Sequence, residues 1–185
     1  DCRCHAWDIA QDVTGPDSAK EVAAILAPER NTNNPFFDNS VQLLLEAVME
    51  CFIKNAPGQW TLRDVLVAMG NRRRLELVLR QSESGRDALE NMLSKEGGPA
   101  GPNIMSTIQT KLSRYYTVAE AWHQSALRGR TMSLTKWVSG EFILHLGKSE
   151  ACREVSNTIN RVLLTRAEQL VLNEPKSSRR RTWFF

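Results

Sequence analysis

Gly147-Lys148-Ser149 is the stretch of this sequence whose residue types come nearest to doing chemistry. It follows an apolar run and precedes a helical pattern, where a phosphate-cradling loop would sit between strand and helix. Such a loop needs a glycine five residues before the second one, so that successive backbone N–H groups wrap the phosphates. Phe142 holds that position, and Gly140 falls two residues too early. The triplet therefore reads as an ordinary strand-to-helix turn. Cys2, Cys4 and His5 crowd together with no second ligand pair, which does not match zinc spacing. His5, His123 and His145 lie far apart without a serine or carboxylate companion, so a catalytic triad has no support. The chain is expected to hold no catalytic, cofactor or metal site.

Its cations are better placed for binding. Arg72, Arg73 and Arg74 open a predicted helix, where positive charge opposes the macrodipole. Local helix stability is thus not their purpose, and they suit phosphates or an acidic protein surface. The plainer alternative is a solvated helix face. The run KLSRYY sets Lys111 and Arg114 beside Tyr115 and Tyr116, a pairing that single-strand binders use for backbone contact and base stacking. Tyr115 falls on an apolar stripe and reads as core; Tyr116 is the freer ring. Net charge is only +3, but residues 102–136 carry five basic side chains, Arg128 and Arg130 among them, against Glu120. Residues 161–185 carry six against Glu168 and Glu174, so a basic face is possible on a weakly charged protein.

At 185 residues, with 42% hydrophobic and 24% charged content, the chain suits one core-bearing domain with appendages. Four scattered cysteines make no disulfide framework, and a reducing compartment is expected. Apolar runs fall well short of the ~20 residues a membrane helix needs. With no signal-peptide pattern either, a cytosolic domain is predicted.

Periodicity predicts a helix opened by Asp17 as N-cap, and a core helix over 36–55 with Val41, Leu44, Leu45 and Val48 on one face. Thr61 and Asp64 form a capping pair for the next helix, and two short helices follow. A long helix spans 104–126, and Ser133 caps a short one. Residues 141–147 read as a strand, 149–172 as a long helix, and the closing RRRTWFF as a strand cut before its turn. The middle is therefore all helix, while the tail has the pattern of a slice of an α/β sheet domain.

Four stretches, in order, carry a resemblance. DCRCHAW is similar to an Asp-x-Arg segment followed by Trp in TraG/TraD-type (VirD-like) coupling proteins of type IV secretion and conjugation systems. NNPFFDNSVQLLLEAV resembles their helix that begins Asp-Pro-Phe-Trp. MSLTKWVSG resembles their Phe-Ser-Leu-x-x-Trp, and RRRTWFF the strand that runs into the Walker B acids. Phe37 stands for the family's Trp, Met132 for its Phe and Asp8 for its Asn.

The resemblance implies a mainly α fold: a helical bundle, the all-α domain, over 17–131. Residues 1–16 would be a flanking segment, and 132–185 a flanking strand-helix-strand piece, of a RecA-like α/β nucleotide-binding ATPase domain. The chain would then be a fragment of a membrane-anchored homohexamer, whose ATP and Mg sites lie elsewhere in the parent. It would work at the cytoplasmic face of the bacterial inner membrane, beside the secretion channel, and be monomeric alone. Its role would be to recognise the transfer substrate during conjugation, single- or double-stranded DNA and/or relaxosome proteins, and deliver it to the ATPase channel. Arg72, Arg73, Arg74, Lys111, Arg114, Tyr116, Arg128 and Arg130 are the candidate DNA contacts. The alternative is a docking domain for relaxase, accessory or effector proteins with little DNA contact, and a third reading is a purely structural insert at the hexamer entrance.

Overall fold

A single 20-residue helix, α3 (Phe36–Asn55), organises the protein. Val41, Leu44, Leu45 and Val48 recur at helical spacing and are fully buried. The computed structural model describes residues 4–29, 35–93, 100–147 and 150–173. Before α3 come strand β1 (Ala6–Trp7), the single turn α1 (Ile9–Asp12) and α2 (Pro16–Leu26). After it come α4 (Leu62–Met69), α5 (Arg72–Leu79), α6 (Glu83–Leu93) and α7 (Ala100–Leu112). Helices α2, α4, α5, α6 and α7 all pack against α3, which gives the mainly helical bundle that the periodicity predicts.

Local chemistry sets the helix starts. α2 begins two residues earlier than an N-cap at Asp17 would place it, with Gly15 as N-cap and Pro16 at the first helical position. Proline's fixed φ suits that site, and Ser18 Oγ accepts the Gly15 N–H at 3.2 Å. Asp17 instead occupies the first turn, where its charge favours the helix dipole. Thr61 and Asp64 form the capping box that their spacing predicts, with Asp64 accepting the Thr61 N–H at 2.9 Å. Asn71 caps α5 by accepting the N–H groups of Arg73 and Arg74, which offsets the cations there.

The long helix predicted over 104–126 is broken. A 3₁₀ turn at Ser113–Tyr115 separates α7 from α8 (Tyr116–Leu127). The break lets the two halves serve different neighbours: α7 packs on α3 and α6, whereas α8 packs on α4 and β1. Tyr115 lies at the joint, fully buried, and donates its hydroxyl to the Leu26 carbonyl at 2.8 Å. Gly129, with φ of 69°, ends the α8 region in the left-handed conformation that glycine takes readily.

Strand β2 (Thr131–Met132) then pairs in parallel with β1, Ala6 opposite Thr131 and Trp7 opposite Met132. Ser133 caps α9 (Leu134–Val138), and α10 (Arg153–Asn173) packs on α9 and α2. The strand predicted over 141–147 is not formed. Side chains there do alternate, with Phe142, Leu144 and Leu146 half-buried and Ile143 and His145 exposed. No strand pairs with the segment among the described residues, and a strand needs a partner ladder. The predicted closing strand, the cysteine at position 2, Lys148 and Ser149 lie outside the described residues.

Candidate nucleic-acid interface

Helices α4 and α8 lie antiparallel. Arg63, early in α4, meets Glu120 of α8 at 3.1 Å, while Leu66, further along α4, accepts the hydroxyl of Tyr116 at the start of α8 at 3.0 Å. Gly70 and Asn71 lead directly from α4 to Arg72, so α5 starts beside the Tyr116 end of α8. A Cβ on Gly70 would collide with the Tyr116 hydroxyl. Arg128 and Arg130 follow the opposite end of α8. From Tyr116 to Arg128 the helical rise gives about 18 Å, or roughly five base steps at 3.4 Å.

Lys111, Arg114 and Arg72 have their charged ends engaged within the protein. Lys111 is 4% exposed, ion-paired with Asp38 at 2.9 Å and donating to the Pro28 carbonyl at 2.6 Å. The Asp38 pair and the Pro28 carbonyl hold its ammonium inward, away from the surface. Arg114 bridges to Glu154 of α10 at 2.7 Å and lies against the Tyr115 ring. Arg72 pairs with Glu76 at 2.8 Å and donates to the Leu93 carbonyl at 2.7 Å, tying α5 to the end of α6.

The remaining five face solvent. Arg73 and Arg74 are exposed at the start of α5, with no side-chain partner among the described residues. Tyr116 is anchored by its hydroxyl but keeps an exposed ring. Arg128 and Arg130 are exposed beyond α8. The candidate set thus resolves into two groups at opposite ends of α8, Arg73 and Arg74 with Tyr116, and Arg128 with Arg130.

Sequence reasoning passed over what lies between them. A cavity of about 260 Å³ opens between β1, α8 and the loop that caps α4, lined by Trp7, Trp60, Trp122, Arg63 and His123. Trp122 meets Trp7 edge to face at 6.2 Å, and Trp60 stacks on Phe52 at 6.1 Å. Only the tertiary fold brings these rings together, since they come from positions 7, 60 and 122. Asp8 lines the same cavity, and its carboxyl is pushed above the usual range by burial and then by the Asp12 charge. Glu120 is held below its ordinary value by the Gln124 amide first and by Arg63 after it.

Among the described residues, nothing in this geometry assembles a nucleophile with a base, and no group of three or more His, Cys, Asp or Glu side chains could hold a metal. Half-buried Phe142 stands where a nucleotide-binding loop needs its first glycine. A family model described as the type IV secretion-system coupling protein DNA-binding domain matches residues 1–185, in keeping with the resemblance of the four stretches. No curated protein and no solved structure matches the chain. A mainly helical fold and a family match over the whole sequence agree: the chain belongs to the type IV secretion-system coupling protein DNA-binding domain family.

Proposed function

We propose that this domain contacts transfer DNA through Arg73, Arg74, Arg128 and Arg130 and passes it to the ATPase channel of its coupling protein. The observation that supports this reading most is the exposure of these four cations, Arg73 and Arg74 at the α4–α5 junction and Arg128 and Arg130 beyond the far end of α8. Residues 17–131 would form the recognition unit, with 1–16 and 132–185 belonging to a nucleotide-binding domain. ATP and magnesium would act there, in a homohexamer at the cytoplasmic face of the inner membrane. No described helix is long and apolar enough to cross a membrane.

Fluorescence anisotropy on labelled DNA across a salt series tests this. The variant R73A/R74A/R128A/R130A should bind more weakly at every salt concentration. Its log–log salt slope should become shallower by about one for each phosphate that the variant no longer neutralises. An unchanged affinity and slope would remove these arginines from the interface.

A second reading has its own support. Leu77 is 59% exposed one turn from Arg73 and Arg74, and Leu127 is 70% exposed beside Arg128. Cations next to bare leucines suit a protein surface, and the relaxase or an accessory protein would then be the partner. Under that reading L77A and L127A weaken capture of the relaxase while DNA affinity holds.

A further inference from the structure

We propose that the cavity between β1, α8 and the α4 cap is a pocket for one unstacked nucleobase, which would make the domain prefer single-stranded over double-stranded DNA. The inference rests on DNA contact by the arginines beyond α8, and adds where the base goes.

Size is the first consideration. At about 260 Å³ the cavity lies below the about 300–1,000 Å³ of sites that take drug-sized ligands. One ring system is the right scale for it, and a whole nucleotide is not. Three indoles contribute to its wall, and base–aromatic contact is how sequence-tolerant binders hold single strands.

The second consideration is an unmet hydrogen bond. Trp60 is 3% exposed, and its indole N–H has no acceptor among the described residues. A buried donor without a partner is costly, and native structures rarely leave one. Trp7, by contrast, donates its indole N–H to Asp12 at 2.6 Å. The Trp60 N–H is itself closed to solvent, so a base carbonyl or ring nitrogen would reach it only as the ring turns. The exposed Gln59 amide at the rim offers both a donor and an acceptor to the base edge.

Charge around the mouth completes the match. Ala126 and Thr131 line the cavity, and Arg128 and Arg130 stand between them in the chain. The Arg130 carbonyl accepts the N–H of cavity-lining Ala6 at 2.8 Å, which fixes this segment against the rim. Lys136 is close enough to act on the Asp8 carboxylate. A base inside would therefore leave its flanking phosphates beside cations. In a duplex the base is paired and stacked and cannot enter without flipping.

The test compares a labelled oligothymidylate with an abasic strand of the same length and charge, at one salt concentration. Wild type should bind the base-bearing strand about tenfold more tightly. A126F, which fills the cavity from half-exposed Ala126 without removing an indole, should bind the two strands alike. Its salt slope should stay that of wild type. Equal binding of both strands by wild type overturns the pocket and leaves DNA contact by the arginines standing. Unchanged discrimination in A126F also overturns it. Binding of neither strand at low salt overturns the pocket and the DNA reading together.

Discussion

Asp12 and Leu134 stand 122 positions apart in the chain, yet the Asp12 carboxylate accepts the Leu134 N–H at 2.6 Å. The same carboxylate takes the Thr135 N–H at 3.0 Å, the Thr135 hydroxyl at 2.9 Å and the Trp7 indole at 2.6 Å. Arg166 of α10 donates to the Asp12 carbonyl at 2.6 Å. One buried acidic residue therefore joins the N-terminal segment to the start of α9 and to α10. Negative charge at the first turn of α9 also suits the dipole of that helix.

Replacing Asp12 by alanine strands three buried or half-buried N–H donors at once. With each unsatisfied donor costing about 1–3 kcal/mol, D12A should lose about 3 kcal/mol or more by urea denaturation. D12N keeps one acceptor oxygen and should fall between. A D12A protein as stable as wild type would show that α9 does not depend on this junction.

Lys111 and Asp38 make a second buried pair, with side chains 5% and 11% exposed. K111M takes the Lys111 cation away from the buried Asp38 carboxylate and should destabilise by about 3 kcal/mol. The double variant K111M/D38L should recover most of that loss. Neither change should alter the salt dependence of DNA binding, because Lys111 is inside. A flattened salt slope in K111M, with the fold intact, would put Lys111 back on the interface.

The helices were legible because their signals are local: apolar spacing in α3, the Thr61–Asp64 cap, the Ser133 cap. What the sequence did not reveal is set by distant partners. Nothing near Lys111 announces that Asp38 and the Pro28 carbonyl will claim it, so a cation beside two tyrosines reads as a surface feature. The break at Ser113–Tyr115 is equally silent, since the stripe from Ile104 to Ala126 continues across it and only packing on different neighbours bends it. Residues 141–147 have strand-like alternation, but a strand is a property of a pair. The aromatic cavity draws its rings from three separated segments and had no signal in any one of them.

Gly85 is fixed by its neighbours. A Cβ there would stand 2.7 Å from Ser82 Oγ and 2.9 Å from the Leu79 carbonyl carbon, inside contact distance of backbone that cannot swing away. Its N–H also donates to Ser82 Oγ at 2.9 Å, which starts α6. G85A should therefore cost about 1–3 kcal/mol or more by thermal or chemical unfolding, despite alanine's better helix propensity. A stabilised G85A would mean that the α5–α6 turn yields readily to an added methyl group.

The cysteines should differ sharply in reactivity. Cys51 is 1% exposed, lies 2.9 Å from the Ser82 hydroxyl, and burial pushes its thiol above the usual range. Cys152 is exposed. Alkylation of the native protein followed by peptide mapping should label Cys152 rapidly and Cys51 only after denaturation. Early labelling of Cys51 would indicate that the contact between α3 and the start of α6 opens readily.

Asp8 gives the protein a pH dependence of definite sign. Burial comes first in raising its carboxyl above the ordinary value of 3.8, and the neighbouring Asp12 carboxylate adds to it, while the Gln11 N–H and Lys136 pull the other way. A raised folded-state value means that the native protein holds this proton more tightly than the unfolded chain does. The associated stability is fully present below about 3.8 and is lost as pH rises through the folded-state value, so ionised Asp8 opposes folding at neutral pH. D8N removes that charge while keeping the shape. It should unfold at a higher urea midpoint than wild type at pH 7, with the gap closing as pH falls towards about 4. A gap of constant size would assign the gain to a new amide hydrogen bond, and no gap at neutral pH would mean that water or Lys136 already meets the carboxylate's needs.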